Sequence, residues 1–484
     1  MLMNSKKVEF IKCLVLSISC FINNMCRNTI LLNCQTQNTK YKTLSEKSSL
    51  FQLFTRPKIF VNKQVIMHHF KYRNHELYCE DVPVRKIAEH IGTPFYLYSH
   101  ATLKRHYLIF YEAFEGLDRL ICYSAKANTN LSVLKLFKSL GSGLDIVSGG
   151  ELYRGLKAGF SPDKIVYSGV GKRVDEIDYA LEAGILMFNV ESIEELGLIN
   201  ERAGVLKTRA PVAIRVNPDV DPKTHPYIST GLKKNKFGID KETAIEGYNV
   251  ARRLENIDVV GIDCHIGSQI TDAKPFVEAL ESIKDLIDEL KKNGVEIRFL
   301  DMGGGLGITY NDESPPHPRE YAKEIVASLT GSQLKLILEP GRVIVGNAGI
   351  LVTEVLFRKS GKVKEFIIAD AGMNDLMRPT LYSAFHAIEP VVDNEGRQIT
   401  ADVVGPICET GDFLALDRQI SDVIKGDLLA VMSAGAYGFT MSSNYCSRPR
   451  VAEVMVKDDR FYVVRDRESY EDLVNGESAP PFLE

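Results

Sequence analysis

One regularity constrains this chain more than any other. Eight short β-rich runs, at 120–125, 144–147, 165–167, 186–190, 212–216, 259–264, 298–302 and 334–338, alternate with amphipathic helical stretches such as 193–203 and 276–292. Eight repeats over roughly 220 residues suit a (β/α)8 barrel, which typically takes about 250 residues. An open, doubly wound sheet is the competing arrangement. The polar residues decide between them. Lys126 with Asn128, Ser148, Ser168 with Gly169, Glu191, Arg215 with Asn217, His265, Gly303 to Gly305, and Glu339 to Arg342 stand at run ends, where packing alone would not select them. A closed barrel gathers all its C-terminal strand ends on one face, where active sites are built, whereas an open sheet spreads them apart.

After Arg342 the pattern turns to β-rich segments without regular helices, at 350–357, 365–369, 428–432 and 461–464. The expected organisation is a TIM barrel at 101–343 and a C-terminal β domain at 344–484. Segment 67–100, with a strand candidate at 94–99, is expected to join that β domain. Residues 1–66 read differently: their only acidic residues are Glu9 and Glu46, and they hold Cys13, Cys20, Cys26 and Cys34 of the nine cysteines. Their apolar run at 10–22 is broken by Lys12 and two serines and falls short of the ~20 residues that span a bilayer. A leader poor in acids, a weak signal peptide and upstream sequence joined by a misassigned start all fit. The last is preferred, because the globular pattern begins just after Met67.

Composition removes some function classes. Hydrophobic residues at 45%, charged residues at 25% and a net charge of -4 describe a soluble globular protein with no call for a polyanionic partner, so neither nucleic acid nor a membrane is expected. The cysteines form no CxxC pair and no Cys/His cluster, which points away from disulfides and bound metal and toward a reducing compartment. A cytoplasm is expected, with an organelle the alternative should residues 1–66 be a genuine leader.

The chemistry concentrates at the run ends. Lys126, within Tyr123-Ser-Ala-Lys126-Ala-Asn128, invites a covalent role toward an aldehyde, because a partly buried amine loses proton affinity and becomes a better nucleophile. Taken alone, a lysine reaching rim water explains it as well. Gly303-Gly304-Gly305-Leu306-Gly307 removes side chains after the seventh run, letting backbone N–H groups close on an anion, and Glu339-Pro340-Gly341-Arg342 adds a cation after the eighth. Phosphate sites commonly form at these last two strands. A carboxylate such as Glu339 keeps a pyridine nitrogen protonated, unless it serves only as an ion-pair partner. The His265 ring offers a flat surface to a planar cofactor, and Ser268 follows it in a small-residue turn.

Together these residues resemble the fold-type III pyridoxal-phosphate decarboxylases, which include the diaminopimelate, ornithine and arginine decarboxylases; the match covers roughly 70–465. The resemblance implies an alanine-racemase-like barrel with a C-terminal β-sandwich or barrel domain, and pyridoxal 5'-phosphate as cofactor. It makes Lys126 the lysine that carries the cofactor. It gives His265, Ser268, Gly304, Gly305, Glu339, Gly341, Arg342 and Tyr437 as cofactor contacts. In the second domain, Cys408-Glu409-Thr-Gly-Asp412 is similar to the CESGD-type motif of the diaminopimelate-specific members, with Thr410 in place of serine, whereas ornithine decarboxylases usually carry aspartate after this cysteine. Arg378-Pro-Thr-Leu-Tyr382 is similar to those members' substrate-carboxylate motif. The resemblance thus implies Arg342, Arg378, Tyr382, Glu409 and Tyr437 as substrate contacts and Cys408 as the proton donor. Diaminopimelate carries a carboxylate and an ammonium at its far end, so its recognition needs both an arginine and an acid.

The implied activity is decarboxylation of meso-2,6-diaminopimelate to L-lysine and carbon dioxide, in a homodimer whose sites are shared across the interface. Three alternatives stay open. The chain is otherwise an ornithine or arginine decarboxylase, an alanine racemase, which Cys408 and its acidic neighbour disfavour, or a noncatalytic cofactor-binding barrel, which the presence of both Lys126 and Cys408 disfavours.

Overall fold

The computed structural model describes residues 67–221, 236–393 and 395–483, all within the compact unit Val65–Glu484. The reading of residues 1–66 as a non-core extension lies outside the described residues.

Eight parallel strands close into a barrel: Arg119–Ser124, Gly143–Ile146, Ile165–Tyr167, Met187–Val190, Ala210–Arg215, Ile257–Asp263, Phe299–Asp301 and Lys335–Leu338. Closure comes where the eighth strand pairs with the first, Leu336 opposite Arg119. The open sheet is thereby excluded. The helices owe their seats to apolar spacing. Lys274–Lys292 turns Phe276, Ala279, Leu280, Ile283, Leu286 and Leu290 to the interior, at the i, i+3, i+4, i+7 spacing of one helix face. It ends on Lys291 and Lys292, which suit the negative end of the helix dipole.

Helix starts explain one rim residue differently from the sequence reading. Ser148 caps helix Gly149–Ala158, its Oγ accepting from the Glu151 N–H at 3.2 Å. Ser192 does the same for helix Ile193–Val205. Serines directly after these strands therefore satisfy orphan N–H groups at helix N-termini.

The second domain is built on a nine-stranded mixed sheet. Its longest strand, Gly349–Ser360, carries Phe95–Ser99 and Leu428–Val431 on its first half and Glu365–Ala369 on its second, with a register shift between Val355 and Phe357. Phe95–Ser99 also pairs, in parallel, with Ala452–Lys457. The buried Glu453 ties this sheet to the barrel, accepting from Tyr98 Oη at 2.8 Å and from Asn130 Nδ2 at 2.9 Å while pairing with Arg465. Asn128 donates to the Gly435 carbonyl at 3.2 Å, and the Tyr437 N–H donates to the Ala127 carbonyl at 2.9 Å. The residues flanking Lys126 are thus stitched to the loop that carries Tyr437.

Candidate active site

A cavity of about 810 Å³ opens above the C-terminal strand ends. Lys126, His265, Ser268, Gly304, Gly305, Glu339, Gly341, Arg342, Arg378, Tyr382 and Tyr437 all line it.

Lys126 sits on the single turn Ala125–Ala127 that ends the first strand, with buried alanines on either side. Its Nζ lies 2.7 Å from Asp145 Oδ2 on the second strand, and Ser124 Oγ donates to the same oxygen. The Lys126 side chain keeps 35% of its surface exposed while that of Asp145 keeps none. This pairing reverses the expected loss of proton affinity. Burial lowers the amine's pKa, but Asp145, Glu339 and Tyr437 outweigh it and hold Lys126 above its ordinary value. Freeing the nucleophile therefore means passing its proton on, and Asp145 is within reach.

Below Lys126 the barrel floor is acidic. Glu339 Oε1 accepts from Ser168 Oγ at 3.2 Å and from Asn189 Nδ2 at 3.4 Å, and Asn189 also reaches Asp301 at 3.2 Å. Burial, reinforced by Asp145, Asp301 and Asp263, pushes Glu339 well above the carboxylate range. Burial likewise raises Asp301 to about 6, against the opposing Gly303 N–H bond. Arg215 pairs with Glu191 at 2.7 Å and lies 3.8 Å from Asp263. Buried acids outnumber cations here, so a protonated ring nitrogen beside Glu339 would meet an environment that favours positive charge.

The glycine loop forms the adjoining wall. Gly303 has φ +62, and a Cβ there would stand 2.4 Å from His265 Nδ1. At Gly304 a Cβ would stand 2.3 Å from the Glu339 carbonyl oxygen. Side chains are excluded from both positions. The Gly304 N–H donates to His265 Nδ1 at 3.0 Å, which leaves the neutral ring's proton on Nε2. Burial, with Arg215 and Lys126 nearby, holds His265 well below its usual pKa and keeps it neutral. Backbone bonds between Ile270 and both Gly305 and Gly307, at 2.9 Å each, join the His265 turn to this loop. Gln269 adds a second clasp through both Ile308 backbone groups. Arg342 Nη2 donates to Ser268 Oγ at 3.1 Å, while the buried Arg342 Nε has no hydrogen-bond partner among the described residues. A bare glycine loop beside a hydroxyl and a guanidinium with donor capacity to spare fits a phosphate, and with the acidic floor it fits pyridoxal phosphate.

The same cavity gathers cations. Arg342 and Arg378 are each 6% exposed, yet among the described residues neither has a carboxylate within ion-pairing distance; their partners are Ser268, Tyr310 and His386. The short helix Arg378–Tyr382 brings Arg378 and Tyr382 to the cavity together. Tyr437, at φ +53, lies with its ring 4.9 Å from the Arg342 guanidinium carbon.

Two predicted residues are not brought here. Cys408 is exposed, and neither it nor Glu409 lines this cavity. Their turn is fixed from beneath by the buried Asp412, whose carboxylate accepts the Ile407 and Met373 N–H groups at 2.6 Å each. The sequence reading also missed Asp145, Asn189, Asp301 and Tyr310. The signal for the acids was a charge inside an apolar run, in Leu144-Asp145-Ile146 and Leu300-Asp301-Met302. Tyr310 left no comparable mark.

Comparison with known proteins agrees with this geometry. A family profile described as the pyridoxal-binding domain of pyridoxal-dependent decarboxylases matches residues 100–346. Diaminopimelate decarboxylase of Aquifex aeolicus is 53% identical over 407 residues, 84% of this chain and 96% of that protein. The Vibrio cholerae diaminopimelate decarboxylase is 53% identical over 86% of this chain and all of its own length. Among solved structures, diaminopimelate decarboxylase of Helicobacter pylori complexed with L-lysine superposes with a TM-score of 0.78 at 44% identity, covering 81% of this chain and 98% of that one. The M. jannaschii enzyme in complex with L-lysine gives a TM-score of 0.82 at 40% identity, covering 86% and 99%.

Proposed function

Because the chain belongs to the diaminopimelate decarboxylase family, we propose that it decarboxylates meso-2,6-diaminopimelate to L-lysine and carbon dioxide with pyridoxal phosphate. The observation that carries this reading is the placement of Arg342 and Arg378 in one cavity with Lys126. Two buried guanidiniums without acidic partners are costly, and an incoming carboxylate offsets that cost. A substrate with a carboxylate at its far end supplies one, whereas ornithine does not.

When bound, pyridoxal phosphate supplies the electron sink for the pair released as a carboxylate leaves Cα. Lys126 is the residue that would carry it and give way to the substrate amine, with Asp145 taking up and returning the amine proton. Glu339 would hold a proton on the ring nitrogen. His265 would face the ring, and Ser268, Gly304, Gly305, Gly341 and Tyr437 would surround the phosphate. Arg342 and Arg378, with Tyr382 and Tyr437, would fix the distal carboxylate and so set the orientation of the reacting carboxylate. A proton must then reach Cα, and Cys408 Sγ–H is its proposed source, with Glu409 receiving the distal ammonium. Since the turn carrying both is exposed, the reading places it over the cavity of a second copy, in a homodimer with shared sites.

The same reading divides the chain into the cofactor-binding barrel at 101–343 and a β domain formed by 344–484 with 67–100. It places the enzyme in the cytoplasm. Five described cysteines with free thiols support that. The experiment is to supply cofactor and, separately, meso-diaminopimelate, ornithine and arginine, and to identify products by mass spectrometry. Lysine from diaminopimelate alone supports the reading; putrescine or agmatine as the main product overturns the substrate.

A further inference from the structure

The arginine wall contains one group that neither the motifs nor the comparisons single out. Tyr310, three residues beyond the glycine loop, is 9% exposed and lines the cavity. Its Oη accepts from Arg342 Nη1 at 2.7 Å and from Arg378 Nη1 at 2.8 Å. A phenol oxygen accepts two hydrogen bonds and donates one. Both accepting positions are taken by guanidinium donors, so the hydroxyl proton remains for a third partner.

The surroundings hold this oxygen in place. The Tyr310 N–H donates to Glu313 Oε2 at 2.9 Å, and the preceding Thr309 carbonyl accepts from Asn347 Nδ2 at 3.3 Å. The ring meets His386 edge-on, with centroids 5.2 Å apart at 75°. His386 Nδ1 faces the Met432 carbonyl at 2.8 Å and so carries the proton, leaving Nε2 to accept from Arg378 Nη1 at 3.4 Å. Arg378 is therefore fixed from two sides, and Tyr310 sets its separation from Arg342. Two guanidiniums bridged by one phenol, with no carboxylate between them among the described residues, form a receptor for a planar anion.

We propose that Tyr310 is the spacer of this receptor and its third donor, giving its hydroxyl proton to the distal carboxylate of the substrate. The inference rests on the reading of Arg342 and Arg378 as that carboxylate's partners and assigns the selectivity for a dicarboxylic amino acid in part to Tyr310. A substrate with no distal carboxylate would leave the hydroxyl donor unanswered, and an unanswered buried donor is a strong means of rejection.

Tyr310→Phe tests this, since it keeps the ring and removes only the oxygen. The measurements are kcat and KM for meso-diaminopimelate, the inhibition constant of pimelate, which is the same dicarboxylate without amines, and the absorbance of the bound cofactor. Removing a hydrogen bond to a charged group predicts that KM and the pimelate constant both rise about tenfold. The kcat should stay within about twofold, the pattern of lost uniform binding, with cofactor absorbance unchanged. A fall in kcat with KM and the pimelate constant unmoved would place Tyr310 at the reacting end and overturn the inference, and so would no change at all. Arg378→Gln, run in parallel, separates the two layers. If it leaves KM and pimelate binding unaltered, the receptor reading itself fails; if it weakens both while Tyr310→Phe does not, only the role of Tyr310 fails.

Discussion

At the strand ends of the barrel, Lys126, Glu339 and His265 are each held by a neighbour on another strand or strand-end loop: Asp145, the Ser168 and Asn189 pair, and Gly304. On the second domain, Cys408 and Glu409 stand on an exposed turn, secured at its base through Asp412 and through Thr380 Oγ1, which donates to the Gly411 carbonyl at 2.6 Å. The first region is complete within one chain. Closure of a parallel sheet brings residues separated by more than 200 positions, such as Lys126 and Glu339, to one floor. The second region presents its reactive groups outward, on a base held by the Asp412 carboxylate. Under the proposed reading, a site divided in this way would seat its cofactor in one copy and receive its proton from another.

Substitutions that strike one region and spare the other sharpen this contrast. The largest effect is expected for Lys126→Ala, which removes the group proposed to carry the cofactor: turnover should become undetectable and the absorbance of bound cofactor should shift. Cys408→Ala should lower kcat by roughly 10²- to 10⁴-fold, the usual worth of a positioned proton donor, while leaving that absorbance unchanged. An altered cofactor spectrum in Cys408→Ala would break the division. Glu339→Gln should cost kcat about 100-fold, as expected for a group that stabilises developing charge, with little effect on KM. Asp412→Asn places an amide where one N–H acceptor is needed. It should lower kcat about tenfold through loss of a charge-assisted bond, again with an unchanged cofactor spectrum, because the turn it supports lies outside the cavity.

The smallest effect concerns stability. Burial, helped by Arg378, depresses the His386 pKa to about 3, so the folded protein keeps it neutral while the unfolded chain binds a proton below about 6.5. A depressed folded-state pKa contributes stability that is present above pH 6.5 and is lost as pH falls toward 3. Between pH 7 and 5 the wild-type protein should therefore lose about 2 kcal/mol more than His386→Asn. Urea unfolding at the two pH values measures the difference.

The two regions were not equally legible in the sequence. The barrel was, because strands buried on both faces leave apolar runs: the third run, 165–167, coincides with the strand Ile165–Tyr167, and the fifth, 212–216, overlaps Ala210–Arg215. Polar residues at run ends pointed to one rim, and the cavity gathers Lys126, His265, Gly304, Glu339 and Arg342 there. Ser148 shows the limit of that logic, since a helix cap and a site residue leave the same trace. Asp145 and Asp301 were hidden inside apolar strands, and with them the ion pair that raises the proton affinity of Lys126. Tyr310 was invisible because its role depends on two arginines 32 and 68 residues away. Where Cys408 stands relative to the cavity is a matter of tertiary arrangement that its motif does not encode.

The proposed division of the site between two copies is tested most directly by co-expressing Lys126→Ala and Cys408→Ala chains with different affinity tags. The doubly tagged dimer is isolated and lysine formation from meso-diaminopimelate is followed. Each variant alone should be nearly inactive, and the mixed dimer should regain a substantial part of wild-type turnover, because one of its two cavities pairs an intact Lys126 with an intact Cys408. A mixed dimer no more active than its parents would contradict the account and require Lys126 and Cys408 to act within one chain.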